Sequence, residues 1–482
     1  MSGRPPVDHA MYRPPDGSIP TLEVPSLDGM RLVHMIGIGG AGMSGIARLL
    51  IARDIRVTGS DLKDSPSLDE LRGMGATIFV GHRSDQMGHP DAVVVSTAIP
   101  QANPELVAAR ERGLRVLARA QLLAGLATQR RTLAVAGTHG KTTTTSMLSV
   151  ILQRAGVDAS YVIGGHLNES GSGAHHGLSD VLVAEADESD GSFLLLRPEV
   201  GIITNVDADH LDFYPGGLGE IEAAFAAFAR NSAVVVACGD DRGATTALER
   251  AGVDAVTYGT GEPNHVRVRA GASSATGADG VVVLEDGEQV SLSLRIAGAH
   301  NLLNGAAALL AARRVGVPPA ESAAGLASFT GVHRRFEFRG EARGARFVDD
   351  YAHHPTELRV TLAAAAGLRP SRLIAVFQPH RFSRTRRLWR ELGESLATAD
   401  LVVLTDVYGA GEEPIPGISG RLLVDALEAA APGTSVVYLP HRSEIAPFLA
   451  EEVREGDLVL TLGAGDITAV LDEVLDKVEE GA

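Results

Sequence analysis

The sequence predicts an α/β protein of three domains, each built on a largely parallel sheet. At 482 residues the chain is too long for one hydrophobic core, since about 150 residues per domain is usual. Short apolar strands alternate with helical stretches along most of the chain, a pattern typical of parallel sheets with right-handed crossovers. Hydrophobic residues make up 45% of the chain and charged residues 21%, which is ordinary for a water-soluble globular protein.

Changes in this pattern set the predicted domain boundaries. Residues 1–29 are rich in proline and are predicted to form a flexible N-terminal extension. The domains that follow are predicted at residues 30–125, 126–332 and 333–482. The first boundary falls within the helical stretch "RAQLLAGLATQRR", because "TLAVAG" then opens a new strand, and the second lies at "HRRFE".

Each domain has its own series of strands. The first begins with the strand "RLVHMIG" and the helix "GMSGIARLLIARD", then continues with "RVTGSD" and "DAVVVST", which predicts a doubly wound sheet. In the central domain the buried strands "DVLVAEAD", "VGIITNVDADH" and "AVVVACGDD" end in polar residues. A glycine-broken, more antiparallel segment from about Ala255 to Arg295 precedes the helix "AGAHNLLNGAAALLAARRVG", which closes at Gly316. The strands "ARFVDDYA", "RLIAVFQPH", "DLVVLTDVYGAG" and "DLVLTLGAGD" are predicted to form a third, separate sheet.

Composition argues against several classes of protein. A formal net charge of -17 disfavours a nucleic-acid or anionic-membrane partner bound through a broad basic surface. The single cysteine, Cys238, excludes an intramolecular disulfide and fits a buried strand position in a reducing compartment. The sequence has neither a signal-peptide core nor a run approaching the ~18 apolar residues of a membrane span, which predicts a cytoplasmic protein without membrane insertion. Nothing in the sequence predicts an oligomeric state.

The stretch "GTHGKTTTT" has the features of a phosphate-binding loop. Gly137 and Gly140 allow the backbone to wrap an anion, while Lys141 supplies a point charge to the outer phosphates. Thr142 can place its hydroxyl on Mg2+. Val135 stands where the full G-x-x-x-x-G-K-[ST] motif has its first glycine, but the strand, loop and helix context is the one that the motif requires. The alternative is a structural turn with a chance Gly-Lys-Thr.

Acidic and imidazole side chains follow two strands that are predicted to lie beside this loop. Either "EADESD" or "NVDADH" alone could be a solvated turn, but together they suit a hard divalent cation and favour Mg2+-nucleotide chemistry. The residues concerned are Glu185, Asp187, Glu188, Asp190, Asp207, Asp209 and His210.

The first glycine-rich loop, "GIGGAG", also follows a strand. Gly37, Gly39 and Gly42 match G-x-G-x-x-G, and Asp61 lies 19 residues after Gly42, where a ribose-binding acid is expected. Taken literally, this fingerprint predicts an NAD-linked oxidoreductase. Since the loop suits any diphosphate on a ribose, other residues must decide which ligand it holds.

Two further clusters are rich in arginine and histidine. "HRRFE" joins the second and third domains, and "QPHRFSRTRR" follows an apolar strand. Arginine binds carboxylate and phosphoryl oxygens in a bidentate manner. His380, Arg381 and Arg384 lie at the predicted strand end and are candidates for this role, whereas Arg386 and Arg387 are assigned to a solvated helix face.

In this order, "GIGGAGMSGIA", "GTHGKTTTT", "EADESD", "NVDADH", "HNLLN", "HRRFE", "DDYAHHPTE" and "QPHRFSRT" resemble the Mur ligases of peptidoglycan synthesis, from about Met30 to Asp466. The resemblance implies a Rossmann-like UDP-substrate-binding domain, a central P-loop ATPase-like domain and a Rossmann-like C-terminal domain, with chemistry in the cleft between them. ATP is expected to phosphorylate the lactyl carboxylate of UDP-N-acetylmuramate, after which the amine of L-alanine attacks the acyl phosphate. The alternative within the family is a recycling ligase that joins a peptide to the same UDP-sugar, which the "GIGGAGMSG" form of the loop disfavours.

The resemblance also implies roles for individual residues. The implied ATP-binding residues are Gly137, Thr138, His139, Gly140, Lys141, Thr142, Thr143, His300, Asn301, Asn304, Arg335 and Asp350. The implied metal ligands are Thr142, Glu185 and His210. The implied UDP-substrate-binding residues are Gly37, Gly39, Gly40, Gly42, Met43, Ser44, Asp61, Ser96, Thr97, Ala98 and Ile99. The implied catalytic residues are Lys141, Glu185, His210, Arg335, His380, Arg381 and Arg384, of which the last three would hold the alanine carboxylate and the acyl-phosphate region.

Several Mur ligases carry a lysine carbamylated by CO2, a short way after the histidine that matches His210. Only three of the 43 basic residues here are lysines, namely Lys63, Lys141 and Lys477. No lysine lies between Lys141 and Lys477, so no lysine near His210 in the sequence can form the carbamate. The metal site is expected to be completed by Glu185, His210, a nearby acid such as Glu222, or water.

Overall fold

The computed structural model describes residues 23–96, 99–168, 172–211, 213–274 and 277–480. Their strands form three sheets, of five, ten and six strands, with helices between many successive strands. The predicted α/β class with parallel sheets is therefore confirmed. The described residues divide into two compact units, 23–270 with 280–294 and 300–330, and 331–480 with 271–279 and 295–299.

The first sheet is parallel throughout. Its strands are β1 (Leu32–Ile36), β2 (Arg56–Asp61), β3 (Thr77–Val80), β4 (Ala92–Val95) and β5 (Val116–Ala118). The accompanying helices are α1 (Ala41–Ile51), α2 (Pro66–Gly73), α3 (Pro104–Glu111) and α4 (Arg119–Ala127). The strand order is β3-β2-β1-β4-β5, so the sheet is doubly wound with its switch point between β1 and β4. Ligands of open α/β sheets bind at such a point, and the first glycine-rich loop follows β1 there.

The second sheet carries the other glycine-rich loop. Its strands are β6 (Arg131–Ala136), β7 (Ser160–Leu167), β8 (Ser172–His175), β9 (Val181–Glu185), β10 (Val200–Ile203), β11 (Val234–Cys238), β12 (Ala255–Gly259), β13 (Val266–Ser274), β14 (Gly277–Val283) and β15 (Gln289–Leu294). The helices of this region are α5 (Lys141–Arg154), α6 (Leu218–Asn231), α7 (Arg242–Ala251), α8 (Ala299–Arg314) and α9 (Pro319–Ser328). In the order β15-β14-β13-β12-β11-β10-β6-β9-β7-β8, strand β6 lies between β10 and β9 and is parallel to both. The loop after β6 and the polar ends of β9 and β10 therefore share one sheet edge, as predicted.

The third sheet lies in the second unit. Its strands are β16 (Glu337–Ala342), β17 (Ala345–Asp350), β18 (Arg372–Phe377), β19 (Leu401–Leu404), β20 (Ser435–Tyr438) and β21 (Asp457–Leu462). Its helices are α10 (Pro355–Gly367), α11 (Phe382–Ser395), α12 (Arg421–Ala430), α13 (Ile445–Glu452) and α14 (Ala469–Glu480). The order is β16-β17-β21-β18-β19-β20, with only the β16–β17 pair antiparallel. The four strands predicted for a separate sheet are all present in it.

Within the first unit, the first two sheets share a hydrophobic core. One cluster of buried side chains includes Val33 of β1, Ala134 of β6 and Phe225 of α6. Helix α1 packs on β7 and β8 at such short range that a Cβ atom on Gly45 would lie 2.6 Å from the Cβ of Ala174. Because α1 begins directly after the first glycine-rich loop, this packing ties that loop to the second sheet.

Other sequence predictions concern single features. Cys238 is buried at the end of β11, as predicted, and burial raises the pKa of its thiol to about 11. Among the residues that the structure describes, no helix combines the length and apolar character needed to cross a membrane. Residues 1–22 of the predicted N-terminal extension lie outside the described residues.

Candidate active site

The second glycine-rich loop joins β6 to α5 and has a backbone conformation that favours glycine. Gly137 and Gly140 have φ angles of +141° and +80°. A Cβ atom on Gly137 would lie 1.9 Å from Thr204 Oγ1, and one on Gly140 would lie 2.9 Å from Asn304 Oδ1. The loop therefore wraps tightly at the N-terminus of α5, where backbone N–H groups and the helix dipole favour an anion.

Side chains at the end of β10 hold this loop in place. Thr204 Oγ1 and Asn205 Nδ2 donate to the His139 carbonyl over 2.6 and 2.9 Å, and Asn205 Oδ1 accepts from the His139 N–H over 2.8 Å. The Thr138 N–H donates to the Asn205 carbonyl over 3.1 Å, and the Asp207 N–H donates to Thr138 Oγ1 over 2.9 Å. Thr204 and Asn205 thus fix the second glycine-rich loop. The sequence predicts no role for either residue.

Lys141 lies almost buried at the start of α5. Its Nζ donates to the carbonyls of Gly137 and Thr138 over 2.6 and 3.2 Å and lies 2.9 and 2.8 Å from the two carboxylate oxygens of Glu188. Burial alone would lower the pKa of Lys141, but Glu188 and Asp187 raise it above its ordinary value. Burial raises the pKa of Glu188 to about 7, against the lowering effect of Lys141. The loop therefore holds a fixed cation, and Glu188 is its anionic partner.

The predicted metal ligands lie beside this loop. Thr142 Oγ1 donates to Glu185 Oε1 over 3.1 Å. His210 has a φ of +53°, and its Nε2 lies 3.5 Å from Asp209 Oδ2 and 3.8 Å from Glu188 Oε1. Hydroxyl and carboxylate oxygens with one imidazole form a donor set that Mg2+ accepts, so these residues fit the predicted ion.

The predicted adenine-binding element lies on α8. Asn301 and Asn304 are buried, and Asn304 Nδ2 donates to Asn301 Oδ1 over 3.1 Å. The position of Asn304 against Gly140 brings this helix to the loop, whereas His300 is exposed. Thr143, in the first turn of α5, is half-buried.

Glu222, one of the groups suggested to complete the metal site, forms an ion pair with an arginine. Its Oε2 lies 2.8 Å from Arg250 Nη2. Arg250 also donates from Nη1 to the Gly219 carbonyl over 2.7 Å, so this pair joins α6 to α7. Glu188, which lies next to both Lys141 and His210, is the acid that the structure brings to the site.

The first glycine-rich loop is anchored on the end of β2. The N–H groups of Gly37 and Ile38 both donate to the Ser60 carbonyl, over 2.8 and 3.1 Å, and Gly37 has a φ of +77°. The Gly39 N–H donates to Asp61 Oδ2 over 2.9 Å. Asp61, predicted as a substrate-binding acid, thus also fixes the loop itself.

Four residues at 96–99, a second segment, are also predicted to line the UDP site, and two of them, Ser96 and Ile99, lie against this loop. A Cβ atom on Gly37 would lie 2.9 Å from Ile99 Cδ1, and the Ile99 N–H donates to the Ser96 carbonyl over 3.2 Å. Thr97 and Ala98 lie outside the described residues. The structure therefore places two of these four residues beside the first loop.

The remaining predicted residues of the first loop are Gly40, Gly42, Met43 and Ser44. Met43 and Ser44 are buried in α1, and the Ser44 N–H donates to the Gly40 carbonyl over 2.8 Å. A Cβ atom on Gly42 would lie 2.1 Å from Arg119 Nη1, while Arg119 Nη2 lies 3.9 Å from Asp187 Oδ2. Arg119, which the sequence did not single out, thus lies between the first loop and the acidic segment after β9.

In the second unit, Asp350 anchors the segment that contains Arg335. Asp350 Oδ2 accepts from the Phe336 N–H over 2.7 Å, and Oδ1 accepts from the Ala352 N–H over 2.8 Å. Burial raises the pKa of Asp350 to about 6, although Arg335 lowers it. The Arg335 guanidinium lies 5.1 Å from the centroid of the Tyr351 ring. Both oxygens of Asp350 are thus occupied by backbone groups of this unit.

The predicted His380 and Arg381 lie between β18 and α11, and Arg384 lies in the first turn of α11. Arg381 has a φ of +68°, which is strained for a residue other than glycine, and its N–H donates to the Tyr408 carbonyl over 2.8 Å. Arg384 Nη1 lies 3.4 Å from His380 Nδ1, and the His380 ring stacks on Tyr408. Burial, with the neighbouring His353 and the arginines, lowers the pKa of His380 to about 3. The site therefore combines a neutral imidazole with two guanidinium groups.

Comparisons with known families match three consecutive segments. The Mur ligase family, catalytic domain, matches residues 32–131, the Mur ligase middle domain matches 135–312, and the Mur ligase, glutamate ligase domain matches 334–465. The chain is also 48% identical to the UDP-N-acetylmuramate--L-alanine ligase of Saccharopolyspora erythraea, over 93% of each chain. The chain belongs to the Mur ligase family. Since this family consists of ligases, the prediction of an NAD-linked oxidoreductase from the first loop is wrong.

Two solved structures resemble this Mur ligase. The UDP-N-acetylmuramate-alanine ligase of Thermotoga maritima matches with a TM-score of 0.79 and 29% identity, over 94% of this chain and 100% of that one. A murein peptide ligase of Psychrobacter arcticus matches with a TM-score of 0.68 and 25% identity, over 93% and 99%. By both measures this Mur ligase is more similar to the alanine ligase than to the peptide ligase.

Proposed function

We propose that this Mur ligase joins L-alanine to the lactyl carboxylate of UDP-N-acetylmuramate at the expense of ATP, in the cytoplasm. The observation that carries this proposal is the presence, in one unit, of two glycine-rich loops of which only the second contains a lysine. Two anionic substrates require two such loops. The relatives that bear the name of this reaction support the choice of substrates.

The second loop is assigned to ATP. A carboxylate oxygen of the UDP-sugar attacks the γ-phosphorus, the bond to the bridging oxygen breaks, and ADP leaves. Lys141 positions the outer phosphates, while Asn301 and Asn304 face the nucleotide. Thr142, Glu185 and His210 would hold Mg2+, which neutralises phosphate charge when it is bound.

The other residues are assigned to the remaining substrates. The first loop holds the diphosphate of UDP-N-acetylmuramate, with Ser96 and Ile99 beside it. In the second unit, His380, Arg381 and Arg384 bind the alanine carboxylate, because guanidinium groups match its two oxygens. The alanine amine attacks the acyl carbon, the bond to the phosphate oxygen breaks, and phosphate leaves. We place the first loop in a domain at 30–125, the second loop in one at 126–332, and the alanine-binding residues in one at 333–482.

The alanine and peptide reactions are separated by one assay. Purified enzyme is given ATP, Mg2+ and UDP-N-acetylmuramate with either L-alanine or an alanine-containing tripeptide, and phosphate release is followed. We expect rapid release with alanine and little with the tripeptide. Faster turnover with the tripeptide would assign the chain to the recycling branch instead.

Gly39→Val is expected to weaken UDP-sugar binding selectively. A Cβ atom at residue 39 would lie 3.0 Å from Asp61 Oδ2 and 3.4 Å from Leu68 Cδ2, so two further methyl groups displace the loop. We expect KM for UDP-N-acetylmuramate to rise about tenfold or more, while KM for ATP changes less than about twofold. Gly73→Val, at a helix end with open space around it, is the matched control. A loss of ATP affinity in Gly39→Val would mean that the loops are assigned wrongly.

Turnover is expected to be independent of CO2. No lysine lies between Lys141 and Lys477, so no carbamate can form near His210, and Glu188 supplies an acid there instead. Activity is measured in CO2-free buffer before and after bicarbonate is added, and equal rates are expected. Loss of activity that bicarbonate restores would contradict this assignment of the metal site.

A further inference from the structure

A buried carboxylate in the first unit takes no part in the sites described above. Glu105 lies in the first turn of α3 and is fully buried, as are His34 of β1 and Ser60 of β2. Buried carboxylates are rare unless they are paired or hydrogen-bonded, because transfer of an ionised group from water is costly. Its partners therefore indicate what it does.

Three side chains from different segments converge on Glu105. His34 Nε2 lies 3.3 Å from Oε1, His82 Nδ1 lies 3.1 Å from Oε2, and the Ser60 hydroxyl donates to Oε2. His34 Nδ1 is in turn 2.8 Å from Thr58 Oγ1, and Ser60 Oγ is 2.9 Å from His82 Nδ1. Burial alone would raise the pKa of Glu105, but hydrogen bonds from His34 and Ser60 lower it below its usual value. The cluster is thus held together by an ionised carboxylate.

This cluster lies directly behind the first glycine-rich loop. Ser60, whose hydroxyl binds Glu105, uses its carbonyl to accept the N–H groups of Gly37 and Ile38. The adjacent Asp61 accepts the Gly39 N–H. Ser60 therefore positions two successive residues of the loop, and the adjacent Asp61 positions the third.

Glu105 also lies next to the second segment of the UDP site. Asn103 Oδ1 caps α3 by accepting the N–H groups of Glu105 and Leu106, and the Asn103 N–H donates to the Pro100 carbonyl over 2.9 Å. Residue 100 directly follows Ile99, whose side chain faces Gly37. Glu105 thus contacts the first segment through its carboxylate and Ser60, and the second through its backbone N–H and Asn103.

We propose that Glu105 is a positioning residue for the UDP-sugar, which fixes the first glycine-rich loop relative to Ser96 and Ile99 through Ser60 and the start of α3. The inference rests on the proposed function, since it takes that loop as the diphosphate site. Displacing binding groups by about 1 Å can cost up to about a hundredfold in kcat/KM, so small shifts of Ser60 are sufficient to weaken UDP-sugar binding.

The test is Glu105→Gln, studied by calorimetry and steady-state kinetics of the full chain. The amide keeps the size of the side chain but removes the negative charge and puts an N–H2 group where a carboxylate oxygen accepts, so the hydrogen bonds of Ser60 and the histidines must rearrange. We expect Kd and KM for UDP-N-acetylmuramate to rise about tenfold, with Kd for a non-hydrolysable ATP analogue and kcat changed less than about twofold. A merely structural role would lower Tm and the active fraction but leave KM unchanged.

Two further variants complete the experiment. Glu111→Gln changes an exposed acid at the other end of α3 and is expected to behave as wild type. Ser60→Ala removes the hydroxyl but keeps the carbonyl and is expected to reproduce the KM effect, which keeps the test decisive if Glu105→Gln does not fold. Unchanged UDP-sugar affinity in the folded variants, with normal binding by wild type, overturns this inference alone. Absence of UDP-sugar binding by the wild-type enzyme overturns the proposed function as well.

Discussion

Lys141→Ala is expected to abolish turnover while leaving UDP-sugar binding unchanged. The Lys141 ammonium is the cation of the second loop, held there by the carbonyls of Gly137 and Thr138. Removing a preorganised charge from a transferring phosphoryl group costs at least about a hundredfold in rate. Lys141 and its partners Gly137 and Thr138 lie outside the first loop, so the affinity for UDP-N-acetylmuramate should stay within about twofold of wild type.

The fold is expected to survive this substitution. Without Lys141, Glu188 would be a buried carboxylate without its cation, but burial already raises its pKa to about 7, so it can become neutral by binding a proton. Phosphate release, UDP-sugar calorimetry and circular dichroism are measured in parallel. Lys477→Ala, which removes an exposed lysine on α14, is the control and should retain full activity. Turnover by Lys141→Ala at the wild-type rate would refute the assignment of the loop.

The sequence predicted those parts of the candidate site whose residues are adjacent in the chain. Gly137, Gly140, Lys141 and Thr142 form one continuous turn from β6 into α5 because they are consecutive or nearly so. The ends of β9 and β10 could be placed beside that loop because carboxyl ends of neighbouring parallel strands meet at one edge. The positions of glycine-rich loops and strand ends can therefore be predicted from the sequence alone.

Contacts that depend on which side of a helix faces its neighbour could not be predicted from the sequence. Glu222 lies 12 residues after His210 and had the chemistry of a metal ligand, but the side of α6 that carries it faces Arg250. Glu188 had the same chemistry and was one of several acids in "EADESD", yet only the fold shows that it reaches Lys141. Spacing along the chain does not distinguish these two carboxylates.

Glu105 shows a further limit of sequence reasoning. An acid in the first turn of a helix normally stabilises the helix dipole from the solvent side. Here the same position is buried beneath β1 and β2, where His34 and Ser60 meet it. Its partners are 71 and 45 residues away along the chain, so no local pattern could have indicated them.

Glu188→Gln is expected to destabilise the nucleotide-free enzyme and to increase the stabilisation that nucleotide gives. The side chains of Lys141 and Glu188 are only 13% and 2% exposed, so removing the carboxylate leaves a buried ammonium without its anion. Breaking such a pair costs about 3 kcal/mol, which lowers Tm by several degrees. If Lys141 faces the ATP phosphates, these phosphates supply the missing negative charge, and the cost should then disappear.

This reasoning is tested by the Tm of wild type and Glu188→Gln with and without a non-hydrolysable ATP analogue and Mg2+. The difference in Tm between the two proteins should be large without nucleotide and should narrow when nucleotide saturates the site, because ligand binding stabilises only the folded state. The matched control is Glu199→Gln, which breaks the exposed pair with Arg131 in the same unit. Exposed pairs contribute about 0–1 kcal/mol, so this control should shift Tm little and equally in both conditions. If the Glu188→Gln deficit stays the same when nucleotide is bound, the Lys141–Glu188 pair is purely structural, and the phosphates of ATP must be bound elsewhere.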